Sequence, residues 1–203
     1  MNKIVLLEIR RQVAHLCFGI VLSVLIFHKI IDAWFLAATS CTFAAFVCYW
    51  KSKYGQKSYI KRILAFFERD EHILKFPGRG IFFFIVSAFL VVAIFPREIA
   101  LASILILSVG DSISHIYGRF LGKWKIPCWP EKNVDGHVIA VILSALTATA
   151  FVPFLPALLA SLLAMIVEIP RIYFFKHPID DNLLIPLVAS GVLSLWNVFS
   201  PFL

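Results

Sequence analysis

Residues 110–137 read GDSISHIYGRFLGKWKIPCWPEKNVDGH. The stretch starts inside a hydrophobic run, leaves it through two glycines and a set of cations, and enters a new apolar run after Gly136. Charges this dense beside apolar segments are costly in a membrane, so they mark a site rather than a lipid-facing surface. Asp111, Ser114, His115, Gly118, Arg119 and Gly122 recur at helical spacing and share one stripe of a helix. That stripe must face protein or water, where it serves either chemistry or a buried structural network. Gly118 and Gly122 also have the small-xxx-small spacing of packed membrane helices.

Composition agrees with a membrane setting. The 203 residues are 61% hydrophobic and only 15% charged, with a mean hydropathy of +0.89. A soluble domain of this length would be about half apolar and a quarter charged. The net charge of +7 is read as cations gathered in cytoplasmic loops against anionic lipid, not as a nucleic-acid surface. Cys17, Cys41, Cys48 and Cys128 form no C-x-x-C pair, so neither a disulfide framework nor a zinc site is expected. The basic N-terminus has no A-x-A-like cleavage site after it and does not read as a removable signal peptide.

The chain reads as one all-α, membrane-embedded catalytic domain over 1–203 with about seven transmembrane helices. After an amphipathic lead-in at 3–12, the spans are placed at Val13–Ile31, Ala33–Trp50, Gly80–Phe95, Glu98–Tyr117, His137–Val152, Ala157–Phe175 and Leu183–Phe199. Between the second and third, a segment at about 51–79 sets Tyr59, Ile63, Phe66 and Phe67 apart from Lys57, Lys61, Arg62 and Arg69. That pattern suits either a helix lying in the membrane interface or a plain connecting helix. With the N-terminus cytoplasmic and the C-terminus outside, all of the 19 Lys and Arg except Lys29 and Arg97 fall on the cytoplasmic side. The same arrangement brings Glu8, Asp111, Asp135, Glu168, Asp180 and Asp181 to that face, from four separate parts of the chain.

The loop at about 118–136 is not a P-loop: only three residues separate Gly118 from Gly122, and Trp124 rather than Ser or Thr follows Lys123. It can still hold phosphate. Glycines allow close backbone approach, Arg119, Lys123, Lys125 and Lys132 supply positive charge, and the helix start at Asn133–His137 supplies free N–H groups. Carboxylates tolerate phosphate only with a cation between them, so Asp111, Asp135, Asp180 and Asp181 suggest Mg²⁺, and all four are candidates. Asp180, Asp181 and Asn182 have a second use as the cap of the last helix. Glu8, Arg11, His15 and Gly19 share a face of the first helix. His15 there serves packing or chemistry. Glu168 is a site candidate by its intramembrane position, with Arg171 as its expected partner.

At these positions the chain resembles the membrane family of CTP-dependent lipid kinases, which includes dolichol kinase, phytol kinase and the CTP-using diacylglycerol kinase. The central block matches at Asp111, Ser114, Gly118, Gly122, Lys123, Lys132, Asn133, Asp135 and Gly136. The family's N-terminal E-x-x-R-K-x-x-H is similar to Glu8, Arg11, Gln12 and His15. Its late acid and D-D-N-L-x-(I/V)-P-L element are similar to Glu168 and to Asp180 through Leu187. Ser114, Asn133, Asp135 and His137 replace the usual alanine, Ser or Thr, Glu, and small or hydroxyl residue. The resemblance implies transfer of the CTP γ-phosphoryl to a lipid alcohol, a polyisoprenoid alcohol being the first choice. It implies Lys123 and Lys132 on the triphosphate with Arg119 in support, Asp111 and Asp135 on Mg²⁺, Asp180 and Asp181 as further metal or base candidates, and one carboxylate or His15 as proton acceptor. Ala140, Ser144, Ala145 and Ala148 would either allow close helix packing or leave room for the lipid tail. The other readings are a cytidylyltransferase, which releases pyrophosphate, and an ion- or proton-coupled transporter.

Overall fold

The computed structural model describes residues 3–53, 76–174 and 177–200. Within them the chain forms seven helices: α1 (Lys3–Phe27), α2 (Ala33–Lys53), α3 (Arg79–Ile94), α4 (Arg97–Phe120), α5 (Val134–Ala148), α6 (Phe154–Glu168) and α7 (Asp181–Phe199). Two short antiparallel hairpins interrupt them, β1 (Lys125–Ile126) with β2 (Trp129–Asn133), and β3 (Tyr173–Phe174) with β4 (His177–Pro178). Four helices are long and apolar enough to cross a membrane, over Val5–Phe27, Ala33–Trp50, Arg97–Phe120 and Asp181–Phe199. The helices α3, α5 and α6 have 16, 15 and 15 residues. At ~1.5 Å per residue they measure about 22–24 Å, short of a ~30 Å hydrocarbon core. Most of the amphipathic segment expected at 51–79 lies outside the described residues.

The helix α4 is the axis of the bundle. From Ile99 to Leu107 it is apolar on nearly every side, and such a segment is stable only when surrounded. Ile99, Leu101, Ile104, Ile106 and Leu107 are all buried, against α1, α3, α5, α6 and α7. Small residues set the approach distances. A Cβ on Gly19 of α1 would lie 1.7 Å from Ser108 Oγ, and one on Gly110 would lie 2.8 Å from Met165 Cε of α6. A Cβ on Gly136 of α5 would lie 3.1 Å from the Gly118 backbone. Each glycine therefore admits a neighbouring helix that alanine would hold away. In α5, Ala140, Ser144, Ala145 and Ala148 are spent on this packing: all are fully buried. The hydroxyl of Ser190 donates to Ser103 Oγ at 2.8 Å and ties α7 to α4 inside the core. The outward faces of α1, α5, α6 and α7 carry exposed Val21, Val24, Leu146, Leu163, Ile166 and Leu195, a surface suited to lipid.

The first helix ends at Phe27, not Ile31, and the fifth runs over Val134–Ala148, not His137–Val152; three further differences have a visible cause. The amphipathic lead-in and first span are one continuous helix, because no Gly or Pro breaks residues 3–18. The sixth helix stops at Glu168, not Phe175. Pro170 can donate no backbone hydrogen bond, and after Ile169, still helical in its backbone angles, the chain turns into the β3–β4 hairpin instead. The polar loop after α4 is the β1–β2 hairpin, which leads straight into α5.

Candidate active site

The start of α1, the end of α4, the β1–β2 hairpin, the start of α5 and the end of α6 meet at one end of the bundle. They enclose a cavity of about 350 Å³. Glu8, Ser114, His115, Gly118, Arg119, Gly122, Lys125, Glu131, Lys132, Asn133, His137 and Glu168 line it. Eleven of these twelve were expected from the sequence as site or supporting residues; Glu131 is the exception.

Two buried acids stand here: Glu168 lines the cavity, and Asp111 lies next to His115 and Glu168 but outside the lining. Asp111 stands between two imidazoles, with Oδ2 3.7 Å from His15 Nε2 and Oδ1 3.4 Å from His115 Nε2. Helical spacing puts His115 one turn from Asp111, and the Gly19–Ser108 contact draws α1 close enough to bring His15. Glu168 is 2% exposed at the end of α6. Its Oε1 accepts from Lys132 Nζ at 2.9 Å, and Lys132 also donates to the Glu168 backbone carbonyl. Arg171, the expected partner of Glu168, instead pairs with Glu131 at 3.2 Å on the exposed rim. The helix end at Pro170 turns Arg171 outward, and the β1–β2 hairpin delivers Lys132 in its place.

A second pair shapes the rim. Glu8 Oε1 accepts from Arg11 at 2.7 Å and from Gln12 Nε2 at 3.2 Å, and its Oε2 lies 3.9 Å from Arg119. Gln12 was missed as a site residue, although it sits one turn from Glu8 and on the same face. Ser112 Oγ donates to the Gln12 carbonyl at 3.1 Å and fixes α1 against α4.

Two expected ligands do other work in this structure. Asp135 does not line the cavity. Its Oδ2 accepts from the Lys123 backbone amide at 2.7 Å and its Oδ1 from the Gly136 amide at 3.1 Å. The Lys123 amide holds the Asp135 carboxyl below the usual aspartate range. Asp135 thus clasps the loop after α4 to the first turn of α5, and the Lys123 side chain lies exposed outside the cavity lining. Asp180 caps α7 by accepting from the Asn182 amide at 3.2 Å, and it pairs with Arg79 Nε at 2.9 Å. Burial pushes the Asp180 carboxyl up, and the Arg79 guanidinium draws it back. Asn182 reaches the Gly80 carbonyl at 3.4 Å, so both residues dock α7 on α3. Sequence gives no signal for the Arg79–Asp180 pair, whose members are 101 positions apart. Asp181 differs from both. Its carboxylate makes no hydrogen bond or ion pair among the described residues, and it is near enough to feel the charges of Lys132, Glu168 and Asp111.

The glycines of the loop serve contact with protein. A Cβ on Gly122 would lie 2.3 Å from the Gly118 carbonyl and 2.6 Å from Asn133 Cγ. Asn133 Nδ2 donates to that same Gly118 carbonyl at 2.6 Å and satisfies the end of α4. His137 Nδ1 is 2.8 Å from the Asn133 carbonyl; because a carbonyl only accepts, Nδ1 carries the proton. Polar atoms are left over at the cavity on Asn133, His137 and Glu168, and beside it on Gln12 and His15. Gln12 Oε1, His15 Nε2, Asn133 Oδ1, His137 Nε2 and Glu168 Oε2 are all buried with no hydrogen-bond partner among the described residues. The three on lining residues are available to a ligand in the cavity.

Known proteins point the same way. The chain is 27% identical over 134 residues to CTP-dependent diacylglycerol kinase 1 of Schizosaccharomyces pombe, covering 57% of this chain and 59% of that one. It is 30% identical over 115 residues to probable phytol kinase 2, chloroplastic, of Oryza sativa subsp. japonica, covering 48% of this chain and 36% of that one. It therefore spans about half the length of these two relatives. An uncharacterised protein of Methanocaldococcus jannaschii is 27% identical over 191 residues, covering 92% of this chain and 93% of its own length. No protein-family model and no solved structure matches the chain. The two kinase names support the resemblance drawn from the three motif blocks.

Proposed function

We propose that this chain phosphorylates a membrane lipid alcohol, taking the terminal phosphoryl group of CTP and releasing CDP and a lipid monophosphate. The observation that carries the reading is the cavity at one end of an apolar helix bundle: cations rim it and unpartnered buried acceptors floor it. CTP as donor rests on the likeness to the fission-yeast diacylglycerol kinase. A polyisoprenoid acceptor rests on the motif resemblance and on the rice relative's name. The positive-inside rule supports a cytoplasmic cavity, which the lipid would reach sideways between helices.

Phosphoryl transfer depends mostly on positioning and charge. Arg119, Lys125 and Lys132 line the cavity and would hold the phosphates, with Lys132 exchanging Glu168 for a phosphate oxygen. Asn133 and the first turn of α5 add the positive end of a helix. Asp135 would act by fixing the loop that presents Lys125 and Lys132. A divalent cation fits the same floor: Asp111, His115 and Glu168 offer donor atoms within 4.8 Å of one another, and Glu168 Oε2 is unpartnered. Bound there, such a cation, Mg²⁺ by the resemblance, neutralises charge on the phosphoryl oxygens. Asp181, uncommitted and beside this floor, accepts the proton of the lipid hydroxyl.

The test is purified protein with CTP, a divalent cation, and a panel of polyprenols, phytol and diacylglycerol. CDP release with at least one alcohol, abolished by Asp111→Asn, supports the proposal. No CDP with any alcohol refutes it. Release of pyrophosphate shows a cytidylyltransferase instead, and ion flux in liposomes without nucleotide shows a transporter.

A further inference from the structure

The floor of the cavity contains more nitrogen than an Mg²⁺ site needs. Mg²⁺ is held by oxygen ligands, whereas imidazole selects first-row transition ions. Beside the carboxylates of Asp111 and Glu168 stand His115 and His137. His137 is 8% exposed and Glu168 2%. His137 Nε2 lies 3.8 Å from Glu168 Oε1, and both His137 Nε2 and Glu168 Oε2 are buried without a partner among the described residues.

The tautomer of His137 completes the pattern. Its Nδ1–H donates to the Asn133 carbonyl at 2.8 Å, which leaves Nε2 a bare lone pair turned toward Glu168. Metal-binding histidines are oriented in this way, with one ring nitrogen tied to a carbonyl and the other free for the ion. Distances agree as well. His115 Nε2 is 3.4 Å from Asp111 Oδ1, longer than a good hydrogen bond, as is the 3.8 Å gap at His137. Two donors each ~2.1 Å from one ion stand up to ~4.2 Å apart; the donors of Asp111, His115 and Glu168 lie within 4.8 Å of one another, so small shifts would close that set on an ion, whereas His137 lies outside it and has further to move. Lys132 takes Glu168 Oε1 and the backbone carbonyl, which leaves Oε2 to the ion. The His115 side chain is 36% exposed and marks the open side, where phosphate or water would complete the coordination.

We infer that Asp111, His115 and Glu168 form the core of a resident site for a first-row transition cation, bound through one imidazole nitrogen and two carboxylate oxygens, and that His137 moves in to add the second imidazole nitrogen. The inference names the cation of the site proposed above and rests on that site, yet its test uses the metal alone.

The full chain, purified in detergent and stripped with a chelator, is titrated with Mn²⁺ in the absence of nucleotide and followed by electron paramagnetic resonance. The expected result is loss of the free-ion signal up to one equivalent, retained in the presence of excess Mg²⁺, with pulsed spectra showing histidine nitrogen coupled to the bound ion. His115→Ala and His137→Ala should each remove one nitrogen coupling and weaken Mn²⁺ binding roughly tenfold or more, since loss of even an outer partner has effects of that size. No binding, displacement by equimolar Mg²⁺, or bound Mn²⁺ without nitrogen coupling would overturn the inference. The wild-type spectrum decides it even where a variant fails to fold. Mn²⁺ binding with nitrogen coupling but no CDP release would remove the kinase and keep the metal site; CDP release without nitrogen coupling would do the reverse.

Discussion

Replacing Lys132 with methionine tests the centre of the site. The side chain of Glu168 is 1% exposed and that of Lys132 15%, with 2.9 Å between Nζ and Oε1. Methionine keeps much of the bulk of lysine but leaves a buried carboxylate without its ammonium. Breaking one side of a buried pair costs about 3–5 kcal/mol; at about 2–4 °C per kcal/mol for a chain of this size, the melting temperature should fall roughly 6–20 °C. Because the penalty lies in the stranded charge, Lys132→Met/Glu168→Gln should recover most of that loss and be more stable than Lys132→Met alone. The assay is thermal unfolding in detergent, with all four proteins of the double-mutant cycle under one set of conditions. A Lys132→Met penalty within the ~1 kcal/mol of an exposed pair, with the two substitutions adding to within ~0.5 kcal/mol, would refute the buried pairing.

Three further outcomes follow from the same geometry. Gly122→Ala places a Cβ against the Gly118 carbonyl and Asn133, so it should displace the hairpin and abolish nucleotide-dependent thermal stabilisation while helix content by circular dichroism is unchanged. Asp135 has a lowered folded-state pKa, so its stabilising contribution is complete above the unfolded value near ~4 and is lost as pH falls through the lower folded value. Acid titrations of stability should therefore lose part of their slope below ~4 in Asp135→Asn. Asp181→Asn should reduce kcat by roughly 10²-fold or more, the scale of a lost general base, while KM for CTP changes little. An equal loss in KM alone would place Asp181 in nucleotide binding instead.

Much of the architecture was legible in the chain because membrane segments report themselves locally. Long apolar runs bounded by charge gave the helices α2, α3 and α7 nearly to the residue, since lipid demands a continuous internally bonded helix and water does not tolerate one so apolar. The stripe from Asp111 to Gly122 was equally local: 3.6-residue periodicity fixes which side chains share a face. The same logic placed Glu8, Arg11, His15 and Glu168 at one end of the bundle.

Pairing between segments was not legible. Sequence proximity suggested Arg171 for Glu168, but a proline two residues past the acid turned the chain, and a lysine 36 positions earlier took the place. Asp135 and Asp180 looked like metal ligands because their residue type permits it; the fold commits one to backbone amides and the other to Arg79. Residue type and spacing determined by themselves that acids, imidazoles and cations would gather at one end of seven apolar helices. Only the tertiary structure decided which of them spend their lone pairs on the protein and which atoms, like Glu168 Oε2 and His137 Nε2, are left unpartnered among the described residues, because the distances that settle hydrogen bonds arise from helices packed through glycine.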